Sequence, residues 1–127
     1  LQGSEAQMQA ALARRPEVIE EGLQLLEVEL PVGVGGIDLY ARDPHGRLVV
    51  VELKRGRAGH EAVHQLERYV RRVREATGHE VRGILAAPEV TAPARTRLQE
   101  LGLEYREVTA LPDVDDGPAQ PTLFEPG

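Results

Sequence analysis

The sequence has no cysteine, a single phenylalanine and no long hydrophobic run. Without cysteine the chain can form no disulfide, no thiolate nucleophile and no thiolate zinc site, and a reducing compartment suits it. No apolar run approaches the length of a membrane span and no signal-peptide pattern opens the chain, so we expect no membrane partner. An initiating methionine is also missing; we expect LQGS to be a cloning remnant and the chain to be a piece of a longer protein.

Charge is unevenly distributed along a chain of ordinary globular composition. The 127 residues are 41% hydrophobic and 28% charged, with a net charge of -6. Residues 42–74 nevertheless carry nine lysines and arginines against four acids, a local net charge of +5, whereas residues 107–127 carry five acids and no base. The basic segment is either a surface for an acidic partner or a solvated helix face formed by Arg68, Arg71, Arg72 and Arg74.

Periodicity and turn residues predict the order α-α-β-β-β-α-β-α-β, which is an α/β fold with a mixed sheet flanked by helices. We expect one domain over residues 1–108 and a disordered tail over residues 109–127, because the tail is rich in Pro, Gly and Asp. The predicted helices begin after an N-cap at Ser4, run from Pro16 to Gly22, lie between Gly59 and Gly78, and run from Thr91 to about Leu101. The predicted strands are residues 23–30, 37–43, 47–54, 80–88 and 103–108.

Three polar residues interrupt a predicted β-hairpin. The turn DPHG at residues 43–46 joins IDLYARD to RLVVVELK. Glu52 and Lys54 point to the same face of their strand because side chains alternate, and pairing around the turn places Asp38 nearly opposite Glu52. These three side chains should therefore meet.

Two carboxylates and a lysine on buried strands are costly unless a cation or a salt bridge offsets their charge. The carboxylates of Asp38 and Glu52, the backbone carbonyl of Leu53 and waters would suit Mg²⁺ or Mn²⁺. Such a cation would stabilise charge on a phosphodiester, and Lys54 would orient or deprotonate the attacking water. The plainer alternative is a structural salt bridge from Lys54 to either acid.

The pattern GID…VVVELK, followed by Gln65 and Tyr69 as Q-L-E-R-Y, resembles the PD-(D/E)XK nucleases and their RecB-like members. More narrowly, the chain resembles the C-terminal nuclease domain of the NucS/EndoMS family. The matching blocks, which lie within residues 4–108, are PEVIEEGL, GGIDLYARD, GRLVVVELKRGRAGHEAVHQLERYVR, VRGILAAP and LEYRE. The resemblance implies a restriction-endonuclease-like fold with a Mg²⁺-dependent site at Asp38, Glu52 and Lys54. It also implies that Gln65 lies near the phosphate and that Glu5 is an additional metal or water contact.

The same resemblance implies a substrate and partners. Members of this family cut both strands of duplex DNA near mismatches such as G·T, and full-length members carry an N-terminal domain that binds DNA and forms a homodimer. That domain is missing here, and we expect a cytoplasmic, nucleoid-associated protein. We expect Arg55, Arg57 and Tyr69 to contact the DNA, and the alternative for Tyr69 is a core or rim position. The alternatives are a RecB-like nuclease acting on single strands or branched structures, and a non-catalytic module that binds DNA or a clamp.

A second catalytic pattern, HEAVH, spans His60 to His64 and matches the H-E-x-x-H motif of zinc peptidases. On a helix the two imidazoles would share one face, but the pattern supplies no third ligand. We keep zinc proteolysis as a remote alternative and expect both histidines to be bystanders that face solvent or a DNA phosphate.

Near its end, at residues 120–124, the tail contains Q-P-T-L-F, which includes the only phenylalanine of the chain. An apolar pair in a disordered segment suggests a docking peptide. The pattern resembles the motif by which bacterial proteins bind the β sliding clamp. Gln120 would bind at the rim of the clamp pocket, and Leu123 and Phe124 would fill it.

Overall fold

The computed structural model of the chain describes residues 3–33 and 35–109. Its helices are α1 (Gly3–Arg14), α2 (His60–Thr77) and α3 (Ala92–Glu100), with a 3-10 turn at Pro16–Val18. Its strands are β1 (Gln24–Pro31), β2 (Gly36–Arg42), β3 (Leu48–Leu53), β4 (Arg57–Ala58), β5 (Val81–Ala87), β6 (Glu89–Val90) and β7 (Glu104–Glu107). None of the helices within these residues is long and apolar enough to cross a bilayer.

The strands form a five-stranded mixed sheet in the order β1-β2-β3-β5-β7, which confirms the predicted fold class. The first two pairings are antiparallel, and the pairings of β3 with β5 and of β5 with β7 are parallel. Helices α2 and α3 supply the two crossovers that parallel neighbours require. The short strands β4 and β6 form a separate parallel pair beside the sheet.

Strand β3 lies at the centre of the sheet and is buried along its whole length. Its alternate side chains enter two different cores, because successive residues of a strand point to opposite faces. Leu48 and Val50 pack with α2 and α3, whereas Val49 and Val51 pack with α1. The sheet is therefore covered on both faces, and the parity of β3 directs Glu52 toward the α2 side.

Helix α2 matches its predicted limits at both ends. It begins after Gly59 and ends at Gly78, which adopts a left-handed conformation with φ 70°. The predicted apolar stripe at Val63, Leu66, Val70 and Val73 is buried. This stripe fixes one face of the helix on the sheet and leaves the opposite face to solvent.

Three local predictions need correction. Helix α1 begins at Gly3, so Ser4 lies within the helix instead of capping it. The predicted helix from Pro16 to Gly22 is only a three-residue 3-10 turn. Asp43 is more than a turn residue, because its carboxylate is buried and accepts hydrogen bonds from Arg47 and Arg82.

Candidate functional site

The β-hairpin brings Asp38 and Glu52 together, as its turn predicts. Leu39 pairs with Val51, so Asp38 and Glu52 are the next opposite positions in this register. Both lie at the end of the β2–β3 ladder, where the Leu53 N–H donates to Asp38 Oδ2 at 2.9 Å instead of to a backbone carbonyl of β2. A side chain thus replaces the ladder at the point where the two carboxylates meet.

Burial shapes the electrostatics of this pair. The pKa of Asp38 is raised to about 6, chiefly by burial and also by the charges of Glu29 and Glu5. The hydrogen bond from the Leu53 N–H acts in the opposite direction. Burial and then the charge of Asp38 raise the pKa of Glu52 to about 8, although Lys54 opposes the shift. Two carboxylates of this kind strongly favour any added positive charge.

Glu52 has the donor chemistry of an incomplete coordination site. Glu52 is only 5% exposed, and its carboxylate forms no hydrogen bond or ion pair with any described residue. A buried carboxylate without a partner is expensive, and a cation held with Asp38 would remove that cost. No group of three or more His, Asp or Glu side chains within residues 3–109 is arranged to hold a metal. The fitting donor set is therefore two carboxylates, a backbone carbonyl such as that of Leu53, and waters.

Lys54 and Glu5 flank the acidic pair. The Lys54 N–H donates to the Ala86 carbonyl at 3.0 Å, which fixes the backbone just beyond β3, and its side chain lines the same cleft as Glu52. Glu5 on α1 accepts a hydrogen bond from the Arg55 N–H, with 3.4 Å between the heavy atoms. The structure thus brings the first helix to the edge of the site.

Sequence reasoning missed two residues that support Asp38. Gln9 is only 8% exposed, and its Nε2 donates both to Glu29 Oε2 at 2.8 Å and to the Asp38 carbonyl at 3.1 Å. Glu29 adopts φ 57° in the left-handed region, an uncommon conformation for a residue with a side chain. The four-residue spacing between Glu5 and Gln9 on α1 was the one available signal, since it places both on one helix face.

The glycine-rich turn before β2 is held by α2. Arg72 Nη1 donates to the Val32 carbonyl at 2.9 Å. At Gly35, with φ 105°, a Cβ atom would lie 2.6 Å from the Tyr69 hydroxyl. Glycine is needed here both for its backbone conformation and for this close approach.

The predicted DNA contact of Tyr69 needs correction. Tyr69 is 2% exposed and packs in the core between α2 and the sheet. Burial raises the pKa of its hydroxyl, and the nearby charges of Glu52 and Asp38 add to that shift. Tyr69 therefore supports the turn that leads into Asp38 and offers no surface to a duplex.

A cleft of about 540 Å³ lies between the end of β3 and the start of α2. Gln65 lines this cleft together with Glu52 and Lys54, and its position near a phosphate stays a prediction. His60 and His64 also line it and are exposed, so their expected position facing solvent or a DNA phosphate stays a prediction. Their ring centroids are 6.3 Å apart in an edge-to-face arrangement. The remaining lining residues are Glu61 and Arg68.

Arg55 and Arg57 follow β3 and are both exposed. The Arg57 Nε donates to Glu89 Oε1 at 2.9 Å, so this guanidinium already has a carboxylate partner. Arg57 lines a second depression, with Arg95 and Tyr105, instead of the cleft that holds Glu52.

Two further predictions concern the zinc motif and the clamp-binding tail. A zinc site at His60 and His64 finds no third protein ligand among residues 3–109. The clamp motif at Gln120, Leu123 and Phe124 lies outside the described residues.

Comparison with known proteins finds relatives that are named as endonucleases. A family model described as "Endonuclease NucS C-terminal domain" matches residues 4–118. "Endonuclease NucS" of Methanopyrus kandleri is 46% identical over 114 residues, which cover 90% of this chain and 44% of that relative.

Two solved structures agree with that match. The "EndoMS-dsDNA2 complex" superposes with a TM-score of 0.80 at 46% identity, covering 86% of this chain and 46% of the other. A "repair endonuclease from Pyrococcus abyssi" gives 0.79 at 41% identity, covering 86% and 48%. The chain spans less than half the length of these proteins.

Proposed function

Because the chain belongs to the family of endonuclease NucS C-terminal domains, we propose that it carries the metal-dependent site of a DNA endonuclease. The observation that carries the proposal is the buried carboxylate of Glu52, which lies opposite Asp38 and beside Lys54 and has no partner among the described residues. The proposed reaction is hydrolysis of a phosphodiester bond.

Each residue then has a chemical task. Asp38, Glu52 and the Leu53 carbonyl would hold Mg²⁺ or Mn²⁺. Such a cation supplies positive charge to the phosphodiester and makes water a better nucleophile at neutral pH. Lys54 orients or deprotonates that water and holds the phosphate, while the Gln65 amide donates to a phosphate oxygen. Glu5 accepts a hydrogen bond from water at the edge of the site.

Substrate and partners are proposed by similarity. One relative is described in complex with double-stranded DNA and another as a repair endonuclease. We propose that the whole protein cuts duplex DNA near mismatches as a nucleoid-associated homodimer, with an N-terminal domain supplying the dimer contacts. Residues 1–108 would form the nuclease domain, and Arg55 would contact DNA. A RecB-like preference for single strands or branched structures is the alternative that a substrate panel would reveal.

The cleavage prediction uses isosteric changes. Asp38→Asn or Lys54→Met should reduce cutting of a mismatched duplex in Mn²⁺ by at least about 100-fold, because the first removes a charge that holds the cation and the second removes the positive charge at the phosphate. Glu75→Gln, an exposed change on α2, is the matched control and should cut normally. The readout is gel analysis of labelled duplex with circular dichroism to verify folding. Unchanged cutting by both charge variants, or DNA binding without cutting by the parent in any divalent metal, would contradict the proposal.

The tail at residues 109–127 is proposed to bind the β sliding clamp through Gln120, Leu123 and Phe124. Phe124→Ala should weaken that binding at least tenfold in calorimetry, because the ring would fill the apolar pocket. Gln2→Ala, at the other end of the chain, is the control. Absence of heat from the parent chain would remove the proposal.

A further inference from the structure

Helix α2 carries a row of three nitrogen-bearing side chains along its exposed edge. His60, His64 and Arg68 are spaced by four residues and therefore lie on one face, each step advancing about 6 Å along the helix axis. All three are exposed and all three line the cleft that contains Glu52 and Lys54. The cleavage chemistry described above uses none of them.

Arg68 differs from its neighbours on the helix in having its charge available. Arg71 pairs with Glu67, Arg72 donates to the Val32 carbonyl and Arg74 donates to the Val81 carbonyl. Arg68, by contrast, forms no hydrogen bond or ion pair with any residue in the described part of the chain. His60 and His64 likewise form no hydrogen bond or ion pair with a described residue, and their rings lie against each other.

We propose that His60, His64 and Arg68 form a phosphate-binding row that holds consecutive phosphates of the DNA strand being cut. This inference rests on the proposed nuclease function and adds the binding determinants of the substrate strand. The phosphate to be cleaved lies between Lys54 and the acidic pair, and its neighbours follow the row along α2. Successive phosphates of an extended strand repeat at a spacing close to that of the row.

The helix end favours the same ligand. Helix α2 begins at His60, and its N-cap Gly59 provides no side-chain hydrogen bond to the first turn. The helix dipole gives this end a partial positive charge that attracts phosphate. The cleft volume of about 540 Å³ is also within the range of ligand-binding clefts.

Charged groups of both signs surround the two histidines of the row. From α2 they face Glu61 and Arg68, and from the end of β3 they face Glu52 and Lys54, with Asp38 opposite on β2. Imidazole is the side chain that ordinarily gains its charge between pH 8 and pH 5.

The test measures how DNA affinity depends on salt. Each phosphate neutralised by a protein cation steepens the plot of log K against log salt by about 0.9 on duplex DNA and about 0.7 on a single strand. In an Asp38→Asn background without divalent metal, the slope for a mismatched duplex should be steeper at pH 6 than at pH 8 by about 1 to 2. A His60→Gln/His64→Gln variant should lose this difference, and Arg68→Gln should reduce the slope by about 1 at both pH values.

Matched controls are available on the same helix and just beyond it. His79→Gln alters an exposed histidine outside the cleft, and Arg71→Gln alters an arginine already paired with Glu67. Neither should change the slope by as much as its counterpart in the row. Fluorescence anisotropy with a labelled duplex gives all the slopes.

The outcomes separate this inference from the proposed function. If the double histidine variant keeps the pH difference of the parent, or if the parent binds no DNA at pH 6 and low salt, the row is refuted. The row is also refuted if the parent binds Zn²⁺, the double histidine variant does not, and the salt slopes of the two are equal. That result would indicate a metal site at the histidines. Cutting by the parent that Asp38→Asn abolishes would still support the nuclease in each of these cases. If the salt slopes are as predicted but the parent never cuts DNA, the proposed nuclease function is refuted and the phosphate-binding row is retained.

Discussion

At the scale of single residues, the site is the pair of buried carboxylates of Asp38 and Glu52. The surrounding residues do not offset the free-energy cost of burying both charges. Lys54 lowers the pKa of Glu52, yet burial and Asp38 raise it to about 8. The residues themselves could be identified from the sequence, because E-x-K and a companion aspartate fall in a hairpin with an evident turn. Gln9 and Glu29 could not, since their contact joins residues 20 apart and depends on a positive φ that no local pattern indicates.

This charge imbalance predicts how stability depends on pH. Glu52 ordinarily titrates near 4.5, so between about pH 4.5 and 8 the folded chain keeps a proton that the unfolded chain releases. Its contribution to stability is thus full below about pH 4.5 and is lost as the pH rises through about 8. Asp38 acts in the same direction between its ordinary 3.8 and about 6. In EDTA, Glu52→Gln should therefore melt several degrees above the parent at pH 8, with a smaller difference at pH 5.

The control for the melting experiment is Glu75→Gln, which changes an exposed acid of α2. It should shift the midpoint by less than a degree or two at either pH. Equal midpoints for Glu52→Gln and the parent across the whole range would mean that Glu52 does not hold its proton in the folded state.

At the scale of elements, the site depends on how α2 holds the turn that precedes β2. The sequence predicts both the glycine-rich turn and the helix, including its limits and its buried stripe. Their contact was not predictable, because the Q-x-x-x-Y pattern does not reveal whether Tyr69 is exposed or buried. The hydroxyl lies 2.6 Å from where the Cβ atom of a residue at position 35 would be, and this steric relation exists only once helix and hairpin are packed.

Gly35→Ala should destabilise the fold more than Gly46→Ala does. Both glycines have positive φ, but a Cβ at Gly46 meets nothing within 4 Å, whereas a Cβ at Gly35 meets the Tyr69 hydroxyl at 2.6 Å. The backbone term alone costs about 1 to 2 kcal/mol, and the clash adds to it at Gly35. Chemical denaturation measures both values.

A double-mutant cycle isolates the clash from the backbone term. Adding Tyr69→Phe removes the hydroxyl, so Gly35→Ala should cost less in that background than in the parent. The same Tyr69→Phe change should leave the cost of Gly46→Ala untouched. Equal costs of Gly35→Ala in both backgrounds would show that the hydroxyl does not restrict this turn.

At the scale of the molecule, the two ends of the central sheet carry different groups of charged residues. One end carries the acidic pair, while the other is fastened by Arg82, which pairs with Glu20 at 2.6 Å, Glu104 at 2.7 Å and Asp43 at 3.1 Å. Arg82 donates to all three carboxylates, and the pKa of Glu20 is lowered to about 2 chiefly by its hydrogen bond to Arg82. The sequence predicts the mixed sheet from its helix–strand alternation, but partners 22 to 62 residues apart emerge only from the folded topology.

The central claim is that Asp38 and Glu52 together bind a divalent cation. Its most direct measurement is an anomalous difference map from a crystal of the 127-residue chain soaked in Mn²⁺. The account predicts a peak between the two carboxylates and within coordination distance of the Leu53 carbonyl, and it predicts no peak in Glu52→Gln crystals. A parent crystal with no peak there, or with manganese bound only at His60 and His64, would contradict it.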